Sequence, residues 1–239
     1  RYERQQKGRL REHFQFNADI IGETDAAADA ELIALLIDAL RAFGLTQEDF
    51  VIRLSSRNAW HDLFVSRNGS PEIEYEFYQI VDKLEREKPE VSAEKLKAIG
   101  FSIEEINSFI EKGEPTKELA AIIENLAARG MKDFVRVDYK VIRGLAYYTG
   151  VVFEAFDIKG EFRAIAGGGR YNNLLNLISA GKVNLPALGF GMGDVVLLEL
   201  LKARQLLPAF DAAVDVFVLI EDESLRSESL RVIQELRAA

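Results

Sequence analysis

Cysteine is missing altogether from the 239 residues, so neither a disulfide nor a thiolate metal site can exist. Histidine is nearly missing. His13 and His61 are the two present, too few for a multi-histidine metal centre. No apolar run approaches the roughly 20 residues that a bilayer-crossing helix requires, so no membrane partner is expected. No secretory signal pattern is visible either, and a cytoplasmic location is the default expectation. Internal repeats and low-complexity tracts are absent. Positive charge is the minority, with 30 Lys and Arg against 39 Asp and Glu and a formal net charge of −9. That balance argues against indiscriminate nucleic-acid binding and confines any RNA contact to local basic patches. The length suffices to bury a substantial core in one or two domains.

Periodicity divides the chain into parts. Residues 1–21 read as two antiparallel strands joined by a basic loop at Lys7-Gly8-Arg9. Along the second strand Phe14, Phe16, Ala18 and Ile20 alternate with Gln15, Asn17 and Asp19, which predicts an apolar face and a polar row. Leu32, Leu35, Leu36, Ala39, Leu40 and Phe43 recur at helical spacing. Thr24 or Asp25 can cap that helix, and Gly44 ends it. A short strand is predicted over 50–54 and a helix over 58–67. Residues 71–130 are charged and helical, with capping signals at Ser102 and Thr116 and stops at Gly113 and Gly130. Alternation resumes from Phe134 to Ile142. Arg143-Gly144-Leu145-Ala146-Tyr147-Tyr148-Thr149-Gly150 then leads into a second apolar run, 151–156, which predicts a strand–turn–strand unit. A guanidinium beside two aromatic hydroxyls suits an anionic, partly aromatic ligand. A strand over 215–220 and a helix over 224–238 close the chain, and one strand cannot form a sheet without a neighbour.

Four segments resemble, in order, the motifs of one family. RYERQQKGRLREHFQFNADIIG is similar to motif 2 of the class II aminoacyl-tRNA synthetases in its histidyl form. RGLAYYTGVVFEAF resembles the histidine-specific motif, AGGGRYNNL the glycine-rich segment, and ALGFGMGDVVLLELL motif 3. The resemblance to histidyl-tRNA synthetases spans residue 1 to about residue 201. It implies an α+β fold: a class II catalytic domain, an antiparallel sheet flanked by helices. Residues 1–70 and 131–208 would form that domain, 71–130 a helical insertion, and 209–239 the start of an α/β anticodon-binding domain. Because motif 1 and most of the anticodon-binding domain are not in the sequence, the chain reads as a fragment.

The same resemblance implies a histidine–tRNA ligase, with ATP as substrate accompanied by Mg2+, tRNA(His) and histidine as partners, and a homodimer. Joining a carboxylate to the α-phosphate of ATP needs positive groups on both sides of that phosphate. Arg1 and Arg143 match the two arginines that supply them, as the candidate catalytic residues. Glu3, Arg9 and Arg11, with Arg1 and Arg143, match the ATP- and tRNA-binding set. Gln15, Asp19, Tyr147, Tyr148 and Tyr171 match residues that take histidine, whose ammonium and two ring nitrogens must all be satisfied. Asp19 stands where glutamate is usual. No carboxylate identifies itself as a metal ligand.

The pattern is broken at Val196, where motif 3 carries an arginine, so the γ-phosphate contact needs another group, for which Arg9 is a candidate. Asp194 can cap the helix that follows. Ala146 and Asn172 replace residues that are commonly aspartate. These losses keep open a second reading, a catalytically inactive histidine-binding paralogue such as the regulatory subunit of ATP phosphoribosyltransferase. Such a paralogue has no need of the basic motif 2 loop that is retained here. A third reading, a non-catalytic RNA-binding module, has no need of the tyrosine pocket.

Overall fold

The computed structural model describes residues 12–84, 87–142, 147–208 and 214–238. Arg1, Glu3, Arg9, Arg11, Arg143 and Ala146 therefore lie outside the described residues, as do the first expected strand and its basic loop. The chain divides into two compact units, Arg1–Leu206 and Leu207–Ala239.

The first unit is built on a six-stranded sheet. Its strands are β1 (Gln15–Ile21), β2 (Phe50–Ser56), β3 (Val135–Val137), β4 (Val151–Asp157), β5 (Ala166–Arg170) and β6 (Ala187–Gly193). They lie in the order β1-β6-β5-β4-β2-β3. Every pair is antiparallel except β2 with β3, which run parallel at the edge. The sheet is thus mixed, where an antiparallel one was expected.

The expected strand–turn–strand unit is not formed. β3 stops at Val137, and β3 and β4 pair on opposite sides of β2 rather than with each other. Asp138 causes the stop. Its N–H closes the ladder on the Leu54 carbonyl, while its carboxylate and carbonyl accept the N–H groups of Lys140 and Val141. This is an Asx turn that competes with continued pairing. Val141 and Ile142 are buried as the alternation implied, but from an irregular connection.

One face of the sheet is apolar and covered. Helix α1 (Ala26–Ala42) begins at Asp25, whose side chain accepts from the Ala27 N–H. It buries Leu32, Ile33, Leu36, Ile37 and Leu40 completely or nearly so, in one core with Ile52, Leu54, Phe153, Leu188 and Phe190. Each such side chain contributes about 1.5–3 kcal/mol through removal from water. Phe14 was expected on this face but is 78% exposed. It precedes the strand, so the alternation that orients Phe16, Ala18 and Ile20 does not reach it.

Helices α2 (Arg57–Ser66), α3 (Pro71–Val81), α4 (Pro89–Ala98), α5 (Ile103–Lys112) and α6 (Lys117–Ala128) follow β2. Rings from α2, α3 and α5 share a centre. Trp60 meets Phe77 and Phe109 edge-on, and Phe109 tilts against Tyr139 at 4.6 Å. Trp60 Nε1 donates to the Tyr139 carbonyl, and the Tyr139 hydroxyl donates to the Glu114 carbonyl. These bonds tie the connection after β3 to α2 and to the link between α5 and α6. Short helix α7 (Leu174–Ile178) follows β5, and α8 (Asp194–Ala203) follows β6. At the end of α8, Arg204 pairs with Asp49 before β2 and Asp157 at the end of β4. No helix among the described residues is long and apolar enough to cross a membrane.

The second unit holds α9 (Arg226–Ala238). The strand expected over 215–220 is not formed: no strand is assigned among the described residues there, and Phe217 is 82% exposed. Extended backbone becomes a strand only by pairing, and no neighbour is at hand among the described residues.

Candidate active site

Strand register assembles the site on the other face of the sheet. Directly paired residues share a face, so Gln15, Asn17 and Asp19 of β1 stand beside Gly193, Gly191 and Gly189 of β6. Gly191 and Gly189 in turn stand beside Gly167 and Gly169 of β5. The polar row therefore overlooks a floor of bare backbone. The spaces left by the missing side chains are occupied by the polar row itself. A Cβ on Gly191 would overlap Gln15 Nε2 and come 2.9 Å from Asn17 Oδ1. On Gly189 it would overlap Asp19 Oδ1 and come 2.5 Å from the Tyr171 hydroxyl. β1 and β5 are not neighbours, so Tyr171 and Asp19 can meet only across Gly189. They do: the Tyr171 hydroxyl donates to Asp19 Oδ1.

Tyr147, Tyr148 and Tyr171 form the wall. Their ring centroids are 4.6 Å apart for Tyr147 and Tyr148, 5.9 Å for Tyr147 and Tyr171, and 6.3 Å for Tyr148 and Tyr171. Val141 and Val152 pack beneath them, with Phe156 alongside. Burial pushes the Tyr171 hydroxyl far above its ordinary pKa. The bond to Asp19, that carboxylate's charge and the two neighbouring phenols push it further. Tyr171 is consequently a neutral donor at every physiological pH. All five residues read as histidine-binding lie in the described region. Asp19 and the three tyrosines converge, whereas Gln15 is set apart, about 13 Å along β1 from Asp19 at strand rise. Ligand groups at opposite ends of a small molecule would be needed to engage both.

The other end of the floor leads into α8. Its N-cap is Gly193, without a side-chain cap, so Asp194 does not cap as expected. The Asp194 N–H instead extends the ladder to the Phe14 carbonyl. Val196 is half-buried against the core and offers nothing to a phosphate. Asn17, between Gln15 and Asp19 on the polar row, was not picked out as a site residue in the sequence, although the alternation that exposes its neighbours exposes it too. Among the described residues no three His, Asp or Glu side chains converge as for a metal ion.

Comparison with known proteins bears on what this floor and wall serve. Residues 1–194 match the family model described as histidyl-tRNA synthetase. The histidine–tRNA ligase of Opitutus terrae is 45% identical over the whole chain, which covers 59% of that relative. The chain belongs to the histidyl-tRNA synthetase family. A chloroplastic/mitochondrial histidine–tRNA ligase of Arabidopsis thaliana is 36% identical over 99% of the chain and is covered to 52%. The chain thus spans a little over half the length of these curated relatives. Among solved structures, the histidyl-tRNA synthetase from a Nostoc species superposes with a TM-score of 0.72 at 23% identity. That superposition covers 95% of this chain and 59% of the other. A Bacillus halodurans protein titled ATP phosphoribosyltransferase regulatory subunit/histidyl-tRNA synthetase follows at 0.64 and 22%, covering 94% and 60%. At such identities the structures speak to the fold, which is the α+β class II synthetase fold of histidyl-tRNA synthetases with its mixed sheet flanked by helices.

Proposed function

We propose that this face is the amino-acid-activating site of a histidine–tRNA ligase. The observation that carries the reading is the Tyr171–Asp19 pair set across Gly189 beside Tyr147 and Tyr148. An imidazole needs a partner for each ring nitrogen and a flat wall for its faces. A carboxylate oriented by a phenol, next to two more aromatic rings, supplies both. Gln15, nearer the start of α8, would take the amino-acid backbone end.

In the proposed reaction a histidine carboxylate oxygen attacks the α-phosphorus of ATP, and the bond to pyrophosphate breaks. A ribose hydroxyl at the 3′ end of tRNA(His) then attacks the adenylate carbonyl and releases AMP. Arg143 and Arg1 are the proposed cations at the α-phosphate, with Glu3, Arg9 and Arg11 contacting ATP and the tRNA end. Magnesium is proposed to arrive with the nucleotide and is assigned no protein ligand. The homodimer, the cytoplasmic location, the insertion at 71–130 and the anticodon-binding start at 209–239 belong to the same proposal, on the family resemblance. The names of the curated relatives favour the ligase over the regulatory paralogue.

Histidine-dependent ATP–pyrophosphate exchange in the full-length protein tests the reading, with Arg143→Ala beside it. Exchange that requires histidine and falls by about 10² or more in the variant is expected, since a preorganised charge at the transition state is worth that much. Histidine binding without exchange would support the paralogue instead.

A further inference from the structure

We propose that Arg170 is the positioning residue that locks the three segments of the pocket to one another; this rests on the histidine-activating reading above. Arg170 alternates with Ala166 and Gly168 and so enters the covered face of the sheet, where it is 3% exposed. A charge there is out of pattern, and its partners explain why. Nη1 donates to the Glu23 carbonyl at 2.7 Å and Nη2 to the Asp25 carbonyl at 3.2 Å. Nε and Nη2 grip both oxygens of Asp29, which is itself 1% exposed. Burial pushes the Asp29 carboxyl up, and the guanidinium opposes that.

The Asp29 pair anchors the guanidinium on α1, and the other bonds of Arg170 reach segments that carry the pocket. Glu23 and Asp25 belong to the turn directly after β1, four to six residues beyond Asp19. The Arg170 carbonyl accepts the Thr149 N–H at 2.8 Å, immediately after Tyr147 and Tyr148. The Thr149 hydroxyl oxygen in turn accepts the Asn172 N–H at 3.0 Å, immediately after Tyr171. Gly150 lies against the Arg170 side chain, where a Cβ would come within 3.3 Å of its Cδ. The Arg170 side chain thus holds the turn after the Asp19 strand and packs on Gly150, and by fixing Arg170 it keeps its carbonyl on the tyrosine segment next to Tyr171. A planar fork of five donors can reach two carbonyls and a carboxylate at once, which an ammonium cannot. A buried ion pair is weak evidence for stability, because apolar replacements of similar volume are often neutral or stabilising. Position is the property that the pair supplies: Tyr171 must meet Asp19 across Gly189, and displacement of about 1 Å at such a site costs about 10²-fold.

The full-length protein with Arg170→Met combined with Asp29→Leu separates position from stability, and Arg170→Lys provides a second variant. Thermal midpoint, the KM values for histidine and ATP in exchange, and amide hydrogen exchange at Thr149, at Asn172 and at Gly22, whose N–H donates to the Pro186 carbonyl at the end of β1, are measured in each. The double variant is expected to keep its midpoint while its histidine KM rises about tenfold or more, ATP KM stays within about twofold, and the three amides exchange faster. Arg170→Lys is expected to show the same split, and it decides the matter if the double variant does not fold. A folded variant with wild-type histidine KM and amide exchange overturns the proposal. So does one in which both KM values rise together. Wild-type protein without histidine-dependent exchange would defeat the functional reading instead, and the amide rates would still decide whether Arg170 holds the segments.

Discussion

Glycine serves two purposes within a few ångströms of the pocket, and alanine distinguishes them. At Gly168 an added Cβ would overlap the Gly189 carbonyl and lie 2.7 Å from Phe190 Cα. Backbone cannot step aside, so Gly168→Ala is expected to destabilise at the top of the roughly 1–3 kcal/mol range for overpacking, read by chemical denaturation. At Gly191 the obstacle is the far end of Gln15, which can swing away. Gly191→Ala should fold with little loss and fail instead in binding, with histidine KM up by about tenfold. Tyr171→Phe belongs with it. Asp19 is exposed and can turn to water, so stability should stay within about 0.5 kcal/mol, while histidine affinity drops about tenfold with the lost donor. Isothermal titration with histidine checks both, and unchanged affinity in either variant would remove that residue from the pocket.

At the scale of elements, the ion pairs fasten strand ends to helix ends. Burial raises the Asp49 carboxyl, but the Thr46 N–H and hydroxyl and the Arg204 guanidinium outweigh it, leaving the group below its ordinary range. A carboxyl lowered by folding binds protons more readily when unfolded, so its stabilisation is complete above the unfolded value and disappears as pH falls through the folded one. Asp49→Asn should therefore lower the thermal midpoint at neutral pH, and the difference should shrink below about pH 4. A difference constant from pH 7 to pH 2.5 would mean that the charge is irrelevant.

Legibility in the sequence followed the strength of each local signal. β1 was readable because strict alternation from Phe14 to Ile20 is a period-2 pattern with a single outcome. α1 was readable from its stripe, with its cap narrowed to Thr24 or Asp25, of which Asp25 serves. The start of β3 was readable but its end was not, because Asp138 looks like one more polar position in an alternating run until its turn is formed. The tyrosines and Asp19 were named from motif resemblance, but their meeting across Gly189 depends on β6 lying between β1 and β5, which no local pattern encodes. Asp29 and Arg170 leave a trace in the sequence as well. Asp29 falls in phase with Leu32, Leu36 and Leu40, and Arg170 falls in phase with Ala166 and Gly168. Two opposite charges on two apolar faces are each other's natural partners.

At the scale of the whole molecule, burial is distributed unevenly between the two units. α1 is sealed by the sheet, whereas α9 has no buried side chain and leans on intrahelical pairs such as Arg231 with Glu228 and Glu235. Exposed pairs of this kind contribute about 0.3–0.5 kcal/mol each. In the 239-residue chain by itself, amide exchange of α9 should therefore approach that of a fraying helix, while Ile33 to Leu40 exchange only through global unfolding. Equal protection in the two helices would contradict this.

Trp60, the one tryptophan of the 239 residues, is a built-in optical reporter. The Trp60 indole is hydrogen-bonded to the Tyr139 carbonyl and enclosed by rings from α3 and α5. Its emission colour is set at the joint where the helices meet the connection leading to Tyr147 and Tyr148. Any ligand that shifts that connection would be visible as a spectral change without a dye, a tag or a radioactive substrate.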